Sequence, residues 1–213
     1  MKEKQEMRES ISRDLHDDLA STLGSISIYA NMMKDYGTSR EINRPQISGK
    51  IAELSQTALQ SITDIIWMTT PKHDLLKSLL SKIRNYYFEL FNDKNIRLTT
   101  EIEMAGPDAV LSDQFRHHIF LILKEVSNNI ICHSKADQVF LRAGINDGYC
   151  SIEVEDNGCG FDTDLKRENY SRGNGLGNIR KRALESGIQL EIKSIIGSGT
   201  SIILTFKIAQ TGH

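Results

Sequence analysis

Residues 150–160 read Cys-Ser-Ile-Glu-Val-Glu-Asp-Asn-Gly-Cys-Gly. Apolar and polar side chains alternate up to Glu155, the signature of a half-buried strand, so the carboxylate of Asp156 stands at a strand end. From there it can accept a hydrogen bond from an exocyclic amine such as that of adenine. Gly158 and Gly160 let the backbone approach a flat ring or take up positive φ. Asp-Asn-Gly is also a plain turn after a strand. On this stretch alone both readings stand.

Working outward, the flanking chain alternates helical and extended patterns. Leu76, Leu79, Leu80, Ile83, Tyr87 and Leu90 mark a helix with one packed face. Ile96, Leu98, Thr100 and Ile102 alternate as a strand. A long helix is predicted from about Ser112 to His133, with Phe115, Ile119, Ile122, Val126 and Ile130 inward. Val139 to Ile145 pairs with the 150–155 strand across Asn146-Asp147-Gly148, a favourable hairpin turn. A helix near Leu176 to Glu185 and two more strands, around Ile188–Ile192 and Ile202–Ile208, complete the pattern. Helices gathered on one face of a mainly antiparallel sheet make an α/β sandwich.

Three further motifs lie on these elements. Gly173-Asn174-Gly175-Leu176-Gly177 enters a helix, where free backbone N–H groups and the helix dipole suit a phosphate. The polar stretch 162–172 before it fits a flap over a nucleotide, or a plain connector. No Gly-Lys-Ser/Thr follows, so this is not a Walker loop. Glu125, Asn129 and His133 recur every fourth residue and share a helix face. An amide oxygen such as that of Asn129 can help complete the oxygen shell of Mg²⁺; a solvated helix face is the plainer alternative. Gly197-Ser198-Gly199-Thr200 precedes the last strand, as a simple loop or as the floor beneath a nucleotide.

The first seventy residues differ in kind. Met7, Ile11, Leu15, Leu19, Leu23, Ile26, Ala30 and Met33 form one helical stripe. Gly37-Thr38-Ser39 breaks it, and a second stripe runs from Ile47 through Ile65. A helical hairpin has one apolar face and too little of itself to bury it. Pairing two hairpins into a four-helix bundle solves this, so a homodimer is expected. The alternative is that the hairpin packs on its own C-terminal domain. The expected division is 1–70 and 71–213, with a linker at about 69–74. The fold class expected is therefore α+β in two domains.

Bulk properties narrow the function classes. The 213 residues carry a net charge of −2, without the basic stripe of a nucleic-acid binder. No apolar run reaches the ~18 residues of a membrane span, and no secretory h-region opens the chain. Cys132, Cys150 and Cys159 show no C-x-x-C spacing, which argues for a reducing compartment and against a zinc site. The expected location is the cytoplasm, or the cytoplasmic part of a longer, membrane-anchored sensor.

Taken in order, Glu125-x-x-x-Asn129, Asp156-x-Gly158-x-Gly160, Gly173-x-Gly175-Leu176 and Gly199-Thr200 resemble the Bergerat ATP-binding fold. That fold is shared by histidine kinases, gyrase B-type topoisomerases, the large heat-shock chaperone and mismatch-repair ATPases. The resemblance implies ATP and Mg²⁺ as cofactors, with Asp156 on adenine, Asn129 on the metal, and Glu125 near metal and phosphates. It also implies that His133, Gly158, Gly160, Gly173, Gly175, Leu176, Gly199 and Thr200 help to bind the nucleotide.

Ser10-Ile11-Ser12-Arg13-Asp14-Leu15-His16-Asp17-Asp18-Leu19 resembles the phosphoacceptor helix of histidine kinases of the nitrate/nitrite-sensor type. Gly175-Leu176-Gly177-Asn178-Ile179-Arg180-Lys181-Arg182-Ala183 is similar to the same subfamily's lid exit. The resemblance implies a two-component sensor kinase core. It would phosphorylate itself on His16 and pass the phosphoryl group to an aspartate of a response-regulator receiver domain. His16 stands about 100° round the helix from the Leu15 stripe, open to solvent. Asp17 is positioned to hydrogen-bond its second ring nitrogen.

Two positions depart from the pattern. Ser21 stands where many relatives carry a Gln tied to dephosphorylation, so the resemblance does not carry phosphatase activity to this chain. Cys132 replaces a common Lys or Arg, which leaves any such phosphate contact to His133 or Lys135. These departures keep a nucleotide-gated scaffold without phosphotransfer as an alternative, and a Bergerat ATPase using Glu125 to activate water is a third.

Overall fold

The computed structural model describes residues 19–34, 44–70, 75–103, 108–163 and 175–208. The chain divides into two compact units between Pro71 and Lys72.

In the N-terminal unit, residues 19–34 are helical (α1) and α2 spans Arg44–Thr69. The described part of the apolar stripes recognised in the sequence lies on these helices and is only partly covered. Ile47 and Ala58 of α2 are buried, whereas Leu59, Ile62 and Ile66 are exposed, as are Leu23 and Ile28 of α1. Exposed apolar side chains spaced along a helix leave the hydrophobic contribution of that face unrealised within this unit.

The C-terminal unit is built on a five-stranded sheet in the order β1-β2-β3-β5-β4. The strands are β1 (Arg97–Glu103), β2 (Gln138–Asn146), β3 (Tyr149–Asp156), β4 (Gln189–Ile195) and β5 (Gly199–Lys207). β1 and β2 are parallel, and every other pairing is antiparallel. The hairpin between β2 and β3 turns on Asp147-Gly148, as the sequence predicts.

Period-two alternation gives this sheet two unlike faces. On one, Val139, Leu141, Ile152, Val154, Ile202 and Leu204 are buried. On the other, Arg142 lies 2.7 Å from Glu155, 3.3 Å from Glu153 and 3.4 Å from Glu101, with its guanidinium over the Phe140 ring.

The apolar face carries helices α3 (Leu76–Asn92), α4 (Asp113–Asn129) and α5 (Gly175–Ser186). α4 starts where Ser112 accepts the backbone N–H of Phe115 at 3.2 Å, an N-cap. Its Ile119, Ile122 and Val126 are buried, and Phe115 meets Phe206 of β5 edge-on at 5.0 Å. The Tyr87 hydroxyl donates to the Leu123 carbonyl at 2.7 Å, tying α3 to α4.

A buried histidine joins α4 to α5. Ser186 Oγ lies 2.5 Å from His118 Nδ1 and 2.7 Å from the Arg182 carbonyl. This contact fixes the far end of α5, whose near end, Gly175, opens onto the site below.

One element differs from expectation. The helix foreseen to run to His133 is α-helical only to Asn129, and Ile130–Ser134 form a π-helical turn. Ser134 closes that turn by donating to the Ile130 carbonyl at 2.8 Å and accepting the Ala136 N–H at 3.0 Å. Wide turns of this kind concentrate where a helix must re-aim its backbone.

Truncating the centre of this core and removing the cap of α4 should differ in scale. Ile122→Ala is expected to lower unfolding free energy by about 2–5 kcal/mol, and Ser112→Ala by about 1 kcal/mol. Denaturant midpoints for the two variants check the ordering.

Candidate nucleotide site

A cleft of about 590 Å³ opens between α4, its π-helical turn, the start of α5 and the ends of β3 and β5. Val126, Ile130, Val154 and Ile202 make its apolar walls, and Asn129, His133, Asp156 and Thr200 contribute polar groups to the lining.

Asp156 closes β3 and is only 5% exposed. Its Oδ1 accepts the Gly158 N–H at 2.8 Å. Burial pushes its carboxyl above the ordinary Asp range; the Gly158 bond opposes this, and the Glu155 charge adds to it. A buried carboxylate with spare lone pairs is held ready for a donor. Strand register sets Thr200 of β5 directly opposite Asp156.

The loop after Asp156 is fastened to the start of β2 and to the π-helical turn that follows α4. Asn157 Oδ1 accepts the N–H groups of Asp137 at 3.1 Å and Gln138 at 3.0 Å, while its Nδ2 donates to Asp137 Oδ1 at 2.6 Å. The Cys159 N–H donates to the Ser134 carbonyl at 2.7 Å and its thiol to the His133 carbonyl at 3.3 Å.

On the far side, Ser194 of β4 accepts the Phe161 N–H at 2.8 Å and lies 2.9 Å from Thr200 Oγ1. Gly199 packs on the backbone of Asp156 at φ +90°, where a Cβ would strike the Asp156 carbonyl oxygen.

The third group gathers at the start of α5. A Cβ on Gly175 would collide with Glu125 Oε1 and come within 3.1 Å of Asn129 Oδ1. Two side-chain oxygens from consecutive turns of α4 therefore converge on one glycine. Asn129 Nδ2 is buried with no hydrogen-bond partner among the described residues. These two oxygens fit a hard cation that takes its remaining ligands from phosphate and water, the usual manner of Mg²⁺.

The structure thus brings Asn129, His133, Asp156, Gly160, Leu176 and Thr200 into one cleft. It sets Glu125 beside Asn129 at Gly175, Gly158 against the carboxylate of Asp156, and Gly199 beneath the Asp156 backbone. His16, Asp17 and Gly173 lie outside the described residues. Cys132 is exposed, with its thiol 3.5 Å from Asn128 Oδ1.

Sequence reasoning missed Asn157, Ser134 and Ser194. Asn157 carried a signal, an Asx side chain in a turn, but its partners lie about twenty residues away. The two serines carried none.

Comparisons with known proteins agree with this geometry. Residues 115–210 match the histidine kinase-, DNA gyrase B- and HSP90-like ATPase family, and residues 8–85 match a histidine kinase family. Sensor histidine kinase LiaS of Bacillus subtilis (strain 168) is 28% identical over 201 residues, covering 92% of this chain and 53% of that protein. Sensor protein VraS of Staphylococcus aureus (strain COL) is 28% identical over 196 residues, covering 92% and 54%.

The histidine kinase domain of the Erythrobacter litoralis EL346 blue-light activated histidine kinase superposes with a TM-score of 0.54 at 18% identity, covering 99% of this chain and 96% of that one. ShkA in complex with AMPPNP superposes with a TM-score of 0.61 at 16% identity, covering 96% and 47%. At such identities the superpositions speak for the fold alone. The chain thus joins a segment of a histidine kinase family to a segment of the histidine kinase-, gyrase B- and HSP90-like ATPase family, and it is similar to sensor histidine kinases over 92% of its length. It spans about half the length of the curated relatives it matches. Among the described residues, no helix is long and apolar enough to cross a membrane.

The raised titration of Asp156 has a consequence for stability. Its folded value lies above the unfolded value of ~3.9. The stability from its bound proton is therefore full below the unfolded value and is lost as pH rises through the folded one. Asp156→Asn stays neutral and keeps an acceptor for Gly158. The ligand-free variant should be more stable than wild type at neutral pH, and this advantage should shrink toward pH ~4. Thermal melts across that range check it.

Proposed function

We propose that this chain is an ATP-dependent histidine kinase core. It phosphorylates itself on His16 and transfers the phosphoryl group to an aspartate of a response-regulator receiver domain. The observation that carries the reading is the buried Asp156 carboxylate, in a cleft that also gathers Asn129 and Thr200. The exocyclic amine of adenine would donate to Asp156 and relieve the cost of its burial. The apolar walls from Val126, Ile130, Val154 and Ile202 suit the faces of the ring.

The triphosphate would then extend toward Gly175, where the N-terminus of α5 offers free N–H groups and a favourable dipole. Glu125 and Asn129 would hold Mg²⁺ there, with phosphate oxygens and water completing its shell. When bound, the metal neutralises phosphate charge. Gly158, Gly160, Gly173, Leu176, Gly199 and Thr200 shape the cleft and its rim, and His133 stands within reach of the phosphates.

His16 lies in the segment matched by the histidine kinase family, residues 8–85. Its neutral imidazole, with a reference pKa of ~6.5, is a competent nucleophile near neutrality. One ring nitrogen attacks the γ-phosphorus, the bond to the bridging oxygen breaks, and ADP leaves. Asp17 accepts a hydrogen bond from the second ring nitrogen and stabilises the developing imidazolium. Positioning and charge neutralisation supply most of the rate in such transfers.

Residues 1–70 serve as the dimerisation and phosphotransfer domain, and residues 71–213 as the ATP-binding domain. The exposed Leu59, Ile62 and Ile66 of α2 support a homodimer, since a second hairpin would cover them. The chain's location is the cytoplasm, by itself or as the cytoplasmic part of a longer membrane-anchored sensor, in keeping with its spanning about half the length of LiaS and VraS. Phosphatase activity is not part of the proposal: Ser21 is exposed, with its carbonyl taken by the Ser25 hydroxyl at 3.0 Å.

Two variants separate the steps. His16→Gln should abolish incorporation of γ-labelled phosphate while leaving ATP affinity unchanged, and acid-labile phosphate persisting in that variant would refute the assignment. Asp156→Asn should weaken ATP binding by at least about tenfold, because the amine would meet a weaker, uncharged acceptor. Wild-type ATP affinity should also fall as acid pH protonates Asp156, with the variant showing a flatter profile. Titration calorimetry across pH reads both effects.

A further inference from the structure

Three polar side chains form one row across the sheet beside the cleft. Register sets Asp156 of β3 opposite Thr200 of β5, and Thr200 opposite Ser194 of β4. Asp156 and Thr200 line the cleft; Ser194 is one strand further out.

Ser194 Oγ has three polar neighbours: the Phe161 N–H at 2.8 Å, the Gly199 carbonyl at 3.1 Å and Thr200 Oγ1 at 2.9 Å. A serine hydroxyl carries one hydrogen and two lone pairs. Phe161 N–H can only donate and the Gly199 carbonyl can only accept. All three contacts become hydrogen bonds in one arrangement: Ser194 donates to Gly199 and accepts from both Phe161 and Thr200. If Ser194 donates to Thr200 instead, its contact with Gly199 is lost. Part-buried polar groups favour the fuller set, because an unmade bond costs more than a made one returns.

We infer that Ser194 is a specificity-determining positioning residue: it takes up the hydroxyl hydrogen of Thr200, so that Thr200 presents only lone pairs to the bound base beside the Asp156 carboxylate. This deepens the ATP reading above and rests on it. Two neighbouring acceptors suit a purine bearing an amine at this edge, because the amine brings two hydrogens. A 6-oxo purine such as guanine places an acceptor against acceptors. Rejection by unpaired polar groups is stronger than rejection by shape. Without Ser194, the Thr200 hydroxyl is free to turn and donate to a ring carbonyl.

The test is the ratio of ATP to GTP affinity, measured by titration calorimetry on the whole chain. Ser194→Ala should lower the preference for ATP by about tenfold, the scale of one hydrogen bond changing sign. Ser194→Thr, which keeps the hydroxyl, should retain the preference. In a Thr200→Val background, Ser194→Ala should leave the ratio unmoved, since there is no hydroxyl left to direct. Should the alanine variant not fold, Ser194→Cys replaces it, keeping the shape with a much weaker acceptor.

A purely structural role would loosen Phe161 and Gly199 and weaken both nucleotides in parallel. An unchanged ratio in Ser194→Ala, or an equal shift in the Thr200→Val background, overturns the inference while leaving the kinase reading intact. A wild-type chain that binds neither nucleotide refutes the ATP reading itself and this inference with it.

Discussion

The turn after β3 is held against the end of α4 by hydrogen bonds that neither segment could satisfy alone. Asn157 ties the turn to the start of β2 with both ends of its amide, and the Cys159 N–H ties it to the π-helical turn after α4 at the Ser134 carbonyl. Those carbonyl and N–H groups are ones a helix end and a strand end leave open. Their mutual satisfaction fastens the two elements at one separation, and the cleft is the space that separation leaves. The π-helical turn at Ile130–Ser134 belongs to the same constraint, because it brings the His133 and Ser134 carbonyls to the Cys159 thiol and N–H.

Within that frame the sheet divides its charges by face. The outer face gathers Glu101, Glu153 and Glu155 around Arg142, where solvent screens them and the pairs are worth little individually. The inner face is largely apolar, and at its last row Asp156, Thr200 and Ser194 stand side by side. An acid on an apolar face is expensive unless something donates to it. Gly158 donates once, and the remaining capacity faces the cleft. Recognition of a base edge and the cost of burying Asp156 are thus two sides of one arrangement.

The two units differ in how completely they bury themselves. The C-terminal unit covers its core with three helices on one sheet face, and Ile119, Ile122, Leu141 and Ile152 are fully enclosed. The helices of the N-terminal unit leave Leu23, Leu59, Ile62 and Ile66 exposed. A pair of amphipathic helices has no geometry that encloses its own apolar stripe, whereas a sheet with helices laid across it does. This contrast is what directs the homodimer proposal to the hairpin.

Much of this was legible in the chain. Local patterns have local causes: alternation marks β3, four-residue spacing marks α4, and Asp156 at a strand end before two glycines marks a place where backbone approaches a ring. The spacing of Glu125 and Asn129 placed both on one helix face, and their oxygens do converge on Gly175. What the chain could not disclose are relations between distant segments. The helix expected to continue to His133 widens into a π turn because Ser134 and His133 serve a loop about twenty-five residues later. Ser194 looks like any strand serine until register sets it beside Thr200 and the Phe161 N–H closes over it. By itself, then, the sequence determined most of the elements and the chemical types at the cleft, because these follow from periodicity and side-chain chemistry. Tertiary structure alone decided which carbonyl meets which N–H and which hydroxyl hydrogen points where, because those depend on strand register and on packing across the sheet.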